Sequence, residues 1–197
     1  MKTTEGSAGS DPRRCPWCLG DRAYLAYHDK EWGVPLKNNR KLFEFLILDG
    51  AQAGLSWLTI LKRRDGYRAA FDGMEPEIIA RYGARDIERL MGDARIIRNR
   101  RKIESTIANA RAYLTFMEGP VSFSKWLWNW VDGEPVINRF KTIGEVPAYT
   151  ELSGRISKEL KRRGFTFVGP TIIYAFMQAA GLVNDHLTNC FRHPDNR

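Results

Sequence analysis

The chain has 197 residues, 43% of them hydrophobic, with 31 Lys+Arg against 23 Asp+Glu and a net charge of +8. That length holds one ordinary domain or at most two small ones, and the apolar content excludes wholesale disorder. The basic balance favours a polyanionic partner such as nucleic acid, although a merely basic surface would look the same, and no segment reaches the roughly 18–20 apolar residues of a membrane span.

The first stretch, MKTTEGSAGSDP, has one lysine and no apolar run, so it does not read as a signal peptide. Residues 1–12 read as a disordered tail or a cloning remnant, and residues 13–197 as a single domain. Helical periodicity follows almost everywhere, and two-residue alternation almost nowhere. Arg22 to Trp32 reads as a short helix stopped at Gly33. Asn39 to Asp49 reads as a stronger one, with Leu42, Phe45, Leu46 and Asp49 on one stripe. Leu55 to Lys62, Pro76 to Tyr82 and Ala84 to Met91 come next, and then a long helix from Arg100 to Met117. Ser122 to Trp130 starts at a plausible N-cap serine. Residues 131–152 carry two prolines and weak periodicity, which predicts a long connection. Ser153 to Arg163 and Pro170 to Leu182 complete a compact, all-α, multi-helix domain.

The chain has only three Cys and three His, and four of these six form two pairs near its ends: Cys15 with His28, and His186 with Cys190. The spacing of the second pair puts both residues on one face of a helix. Thiolate and imidazole together suit tetrahedral Zn²⁺, and four protein ligands would make a closed, structural site. The spacing is not that of a zinc finger, so buried thiols and ordinary histidines remain an open alternative. Cys18 is a rival ligand within Cys15-Pro16-Trp17-Cys18 but ranks as a free thiol, and His193 ranks below His186. Scarce, odd-numbered cysteine argues against a disulfide framework and for a reducing compartment.

Residues 158–181, KELKRRGFTFVGPTIIYAFMQAAG, place Gly164 and Gly169 around a short turn between a basic helix and an apolar one. Glycine-bounded turns let backbone N–H groups approach a phosphate, and the helix dipole adds to the attraction. This turn resembles the helix-hairpin-helix element that grips a DNA backbone, with Lys161 and Arg162 beside it. Simple helix punctuation would have the same pattern. Asp49 raises a sharper question, because it interrupts the apolar run LILDGAQAGLSWLTIL. Either it turns to solvent at a helix end, or it is a carboxylate at the floor of a pocket, where burial without a donor is costly.

Taken together, Cys15-x-Trp17, Tyr24-Leu-Ala-Tyr-His-Asp-Lys-Glu-Trp-Gly33, Gln52-Ala-Gly-Leu-Ser-Trp57, Gly164-Phe-Thr-Phe-Val-Gly169 and Gly181-Leu-Val-Asn-Asp-His186 resemble the DNA-3-methyladenine glycosylase I family. The resemblance runs from about Arg14 to Cys190. It implies a helix-hairpin-helix glycosylase fold and one structural zinc, held by Cys15, His28, His186 and Cys190, that staples the two ends of the chain. It implies that an extrahelical base stacks on Trp57 with Tyr24, Tyr27 and Trp17 around it, that Leu55 lies at the DNA gap, and that Asp49 is the base-recognising carboxylate. The family usually has Glu at that last position. The implied activity is monofunctional hydrolysis of the N-glycosidic bond of 3-methyladenine after base flipping. The implied setting is double-stranded alkylated DNA in the bacterial cytoplasm and nucleoid, with a monomeric enzyme that needs no membrane or protein partner. Asp185 is a second carboxylate, whose expected task is to orient His186. A glycosylase for another alkylated base, or a zinc-stapled protein that only binds lesions, are the competing functions.

Overall fold

The computed structural model describes residues 12–196, so all of the expected tail but Pro12 lies outside the described residues. Ten α-helices are described: α1 (Arg22–Lys30), α2 (Asn39–Gln52), α3 (Trp57–Leu61), α4 (Arg64–Ala70), α5 (Pro76–Ile79), α6 (Ala84–Met91), α7 (Arg100–Met117), α8 (Phe123–Trp128), α9 (Glu151–Arg162) and α10 (Pro170–Ala179). Side-chain caps set many of the starts. Asp21 accepts from the Ala23 and Tyr24 amides, Asn38 from Lys41, Ser56 from Thr59, Asn99 from Lys102 and Ser122 from Lys125. The expected N-cap at Ser122 is therefore present.

Several expected bounds shift for local reasons. The Ser56 cap delays the helix expected from Leu55 until Trp57. The basic residues read as its end are followed at once by α4, a helix the periodicity did not reveal. Residues 129–131 tighten into a 3₁₀ turn, so α8 stops at Trp128. α10 ends at Ala179 instead of Leu182, because Gly181 turns the chain at φ +71°. A Cβ on Gly181 would lie 2.4 Å from the Val34 carbonyl, so only glycine fits there. The predicted connection over 131–152 includes β1 (Val136–Ile137), which pairs in parallel with β2 (Val183–Asn184). After β2, residues 185–190 run as extended chain and turn. His186 and Cys190 are therefore brought together by a turn and not, as expected, by a helix face.

α2 is the central helix. It packs on α3, α7, α8 and α10, and every residue from Leu42 to Ala51 is buried. A helix enclosed on all sides has no polar face, so its two buried carboxylates need an account. Glu44 receives Arg68 Nε at 2.7 Å. Asp49 has no such partner. α2 also runs through Asp49 to Gln52, so of the two readings of Asp49 the turn to solvent at Gly50 is not the one observed.

Candidate functional site

Asp49 lies at the back of a cavity of about 380 Å³. α1 supplies Tyr24 and Tyr27, α2 supplies Asp49 and Gln52, and α3 supplies Trp57. Thr171, Tyr174, Ala175 and Gln178 of α10, the Trp17 and Trp32 rings, and residues 143 and 146–148 complete the wall. This volume falls in the range of small-molecule sites, about 300–1,000 Å³. The Tyr27 and Trp57 rings are 5.3 Å apart, and Trp17 meets Tyr24 edge-on at 5.0 Å. Asp49 is 2% exposed, and its Oδ2 has no hydrogen-bond partner. Burial alone pushes its carboxyl well above the usual range. The Trp57 indole N–H is likewise enclosed without a partner. Tyr27 is held neutral, first by burial and then by the nearby Asp49 charge.

All four aromatic residues expected around a base, Trp17, Tyr24, Tyr27 and Trp57, therefore line one cavity with Asp49. Sequence reasoning missed Trp32, Gln52, Tyr174, Gln178 and the 143–148 segment. Tyr174 and Gln178 are spaced i, i+4 on an apolar helix and read as core. Asp185 is not where its expected task would put it. It accepts from Asn138 Nδ2 (2.7 Å), Tyr174 Oη (2.6 Å) and Gln178 Nε2 (2.7 Å), and so braces the cavity wall without touching His186.

Behind the Trp17 and Trp32 rings lies a second constellation. The ligand atoms of Cys15, His28, His186 and Cys190 all fall within 4.8 Å of one another, and all four residues are buried. This group could hold a metal ion. Its histidines are fixed from behind: His28 Nδ1 is 2.8 Å from Asp29 Oδ1, and His186 Nε2 is 3.1 Å from the Trp32 carbonyl. Burial works against ionisation of Asp29, but hydrogen bonds from Arg14 and His28 outweigh it and hold the carboxyl low. Hydrogen bonds from Cys15, His186 and His28 favour the Cys190 thiolate, and burial holds His186 below its ordinary pKa. These two shifts favour the forms that bind metal, whereas the hydrogen bond with Cys190 and burial push the Cys15 thiol up. Cys18 stays outside the group and donates to the Cys15 carbonyl at 3.1 Å. His193 is also outside, 3.1 Å from the Asn138 carbonyl.

The residues expected to meet DNA lie in two loops and, for Lys161 and Arg162, in the last turn of α9. Leu55, 39% exposed, projects between α2 and α3 just after Gly54, which has φ +76°. The α9–α10 turn contains Gly164 at φ +87° and Gly169 as the residue before α10. Lys161 has no ion pair among the described residues, whereas Arg162 is engaged by Glu159 at 2.8 Å.

The domain is predominantly helical, and its aromatic cavity is lined by a buried carboxylate oxygen that has no hydrogen-bond partner. The methyladenine glycosylase family model matches residues 17–193, and the chain belongs to that family. It is 49% identical over 184 residues to DNA-3-methyladenine glycosylase 1 of Escherichia coli K12, covering 93% of this chain and 98% of that one. It is 47% identical to DNA-3-methyladenine glycosylase of Haemophilus influenzae, over 90% of this chain and 96% of that one. A crystal structure of 3-methyladenine DNA glycosylase I superposes with a TM-score of 0.91 at 50% identity, over 92% of this chain and all of the other. The Staphylococcus aureus enzyme, studied for 3-methyladenine recognition, superposes at 0.88 with 40% identity, over 92% and 96% of the two chains.

Proposed function

We propose that this protein is a DNA-repair glycosylase that hydrolyses the N-glycosidic bond of 3-methyladenine in alkylated duplex DNA. One observation carries the reading: an enclosed carboxylate oxygen without a partner faces an aromatic cavity of base size. Methylation at N3 leaves the adenine ring cationic in DNA. A cation is what both the orphaned Asp49 and the electron-rich Trp57 lack. Stacking on the indole contributes about 1–2 kcal/mol for a desolvated cation. Asp49, which burial keeps protonated until the base enters, ionises beside the cationic ring, accepts from the amino edge of the base and stabilises positive charge as the bond breaks. The nucleotide leaves the helix, which costs a few kcal/mol and less for a damaged base. Water adds to C1′, the glycosidic electron pair goes to the ring nitrogen, and the base departs neutral. The proton lost by water passes to solvent. Among the described residues no lysine lines the cavity, which supports a monofunctional reaction without a covalent enzyme intermediate or strand cleavage.

The same reading assigns the α9–α10 turn as a helix-hairpin-helix phosphate clamp, with Gly164, Gly169 and Lys161 at the backbone and Leu55 filling the gap left by the base. It assigns zinc to the Cys15–His28–His186–Cys190 group. The S···N edges are 3.8, 3.4 and 3.6 Å. A tetrahedral ion with Zn–S about 2.3 Å and Zn–N about 2.0–2.1 Å gives edges of about 3.6 Å. Zinc there is structural and ties the N-terminal segment to the C-terminal one. The enzyme acts as a monomer. Three free buried cysteines suit the reducing cytoplasm, and among the described residues no helix is long and apolar enough to cross a membrane.

The test is direct. Purified protein is incubated with methylated duplex DNA and the released bases are separated by chromatography. Release of 3-methyladenine is expected. Lesion binding with no released base would overturn the reading.

A further inference from the structure

α7 carries an unusual row of polar residues on a buried face. Ser105, Thr106 and Asn109 are 7%, 5% and 3% exposed. The row ends in Lys102, one face-repeat before Asn109. Each end of the row holds backbone from one of the two loops assigned above to DNA. At one end, Lys102 Nζ donates to the Ala51 carbonyl at 2.8 Å and to the Ala53 carbonyl at 2.7 Å. The first carbonyl belongs to the last turn of α2 and the second to the residue that caps it, both between Asp49 and Leu55. No carboxylate pairs with this ammonium among the described residues, so its charge is spent on the negative end of the α2 dipole. Burial lowers its pKa.

At the other end, Asn109 takes both backbone groups of Thr166: the Thr166 amide donates to Oδ1 at 2.8 Å, and Nδ2 donates to the Thr166 carbonyl at 3.0 Å. The Ser105 and Thr166 hydroxyls are 2.8 Å apart. These contacts hold a strained turn, since the next residue, Phe167, has φ +52° without being glycine. The α9–α10 turn also comes close to α2 itself. A Cβ on Gly50, the neighbour of Asp49, would lie 3.4 Å from the Phe167 carbonyl.

We infer that α7 is a strut that sets the spacing between the phosphate-gripping turn and the loop that enters the DNA, and that Lys102 is the positioning residue at its catalytic end. The inference rests on the glycosylase reading. Lys102 acts through the backbone of α2 and not on DNA itself. It keeps the Gln52–Ser56 loop in register, so that a nucleotide flipped while its phosphates sit on the α9–α10 turn arrives over Asp49.

The experiment compares wild type, Lys102→Met and Lys102→Arg. Misplacement by about 1 Å can cost ~10²-fold in rate, so Lys102→Met should slow single-turnover release of 3-methyladenine by at least ~10-fold. Affinity for undamaged duplex, its salt dependence, and affinity for free 3-methyladenine read by tryptophan fluorescence should all stay within about twofold, because neither phosphate contacts nor pocket are removed. Lys102→Arg, which can still donate to both carbonyls, should recover most of the rate. If Lys102→Met does not fold, Lys102→Gln removes the charge and keeps one donor group, and should show the same split. A salt slope smaller by about 1, with release falling in step with duplex affinity, would make Lys102 a phosphate contact and overturn the inference. Unchanged release would overturn it, and so would a matching loss of free-base affinity. Wild type that releases no base would sink the glycosylase reading first, whereas active wild type with an unaffected variant sinks the strut alone.

Discussion

Asp49 should cost stability and confer activity, and the two effects separate in Asp49→Asn. Burial raises the Asp49 carboxyl well above its ordinary range in the folded protein. In the unfolded chain it titrates near about 3.9. Between those values the unfolded chain loses a proton that the folded one retains. The stability present below the unfolded pKa is therefore lost as pH rises towards the folded pKa, at up to about 1.4 kcal/mol per pH unit. Asparagine is close in size and does not titrate. The stability of Asp49→Asn relative to wild type should thus improve steadily as pH rises from about 4, until the native carboxyl ionises. Tyr24, Tyr27 and Tyr174, which share the cavity, are all shifted upward, burial being the largest cause for each, and add nothing to this difference at acidic or neutral pH.

Urea unfolding of both proteins at pH 5, 6, 7 and 8 reads the difference directly. In the same samples, release of 3-methyladenine should fall by ~10²-fold, the size expected when one group aimed at developing charge is neutralised. A stability difference flat with pH would mean that Asp49 is paired or solvated in the folded protein. Full activity in Asp49→Asn would refute its part in the chemistry.

Two other outcomes are expected. Elemental analysis should find about one zinc per chain, and Cys190→Ser should lose most of it together with thermal stability; unchanged zinc in that variant would reject the ligand set. Lys161→Glu should weaken binding to all duplex sequences alike and flatten the salt dependence, whereas Arg162→Glu should do less, because Glu159 already engages Arg162. Equal effects of the two charge reversals would count against the assigned difference.

Much of this architecture was legible in residue order. α6 and α7 lie where the periodicity put them, since Gly92 and the Asn99 cap mark their limits in the sequence. Rare residue types made the Cys and His pairs visible, although the route joining them was misread. Gly181 and the β1–β2 pairing end α10 early and leave His186 in extended chain. Asp49 was recognised as facing inward for an incomplete reason: α2 is buried all round, so no stripe was needed to enclose it. The cavity wall at 143–148 was invisible, because an aperiodic segment acquires its place only from tertiary contacts. Asp185 was misassigned because adjacency in sequence suggested His186, while its three donors come from residues 7, 11 and 47 positions away.

The cavity and the Cys/His group that could hold a metal ion share a wall. α1 presents Tyr24 and Tyr27 to the cavity and His28, one residue on, to the cysteines. The Trp17 ring, next to the ligand Cys15 by two positions, is 5.4 Å from the His28 ring and 5.0 Å from Tyr24. The Trp32 ring is 4.6 Å from that of His186, and its carbonyl receives the His186 imidazole. Aromatic residues held by short helices and turns have little to keep them in place on their own. A metal ion held by these four residues, drawn from the two ends of the chain, would fix three of the cavity's aromatic walls through their immediate neighbours, and leave α2 to carry the carboxylate. Loss of that ion would then disturb the shape of the cavity from behind its aromatic wall, through residues that do not line it.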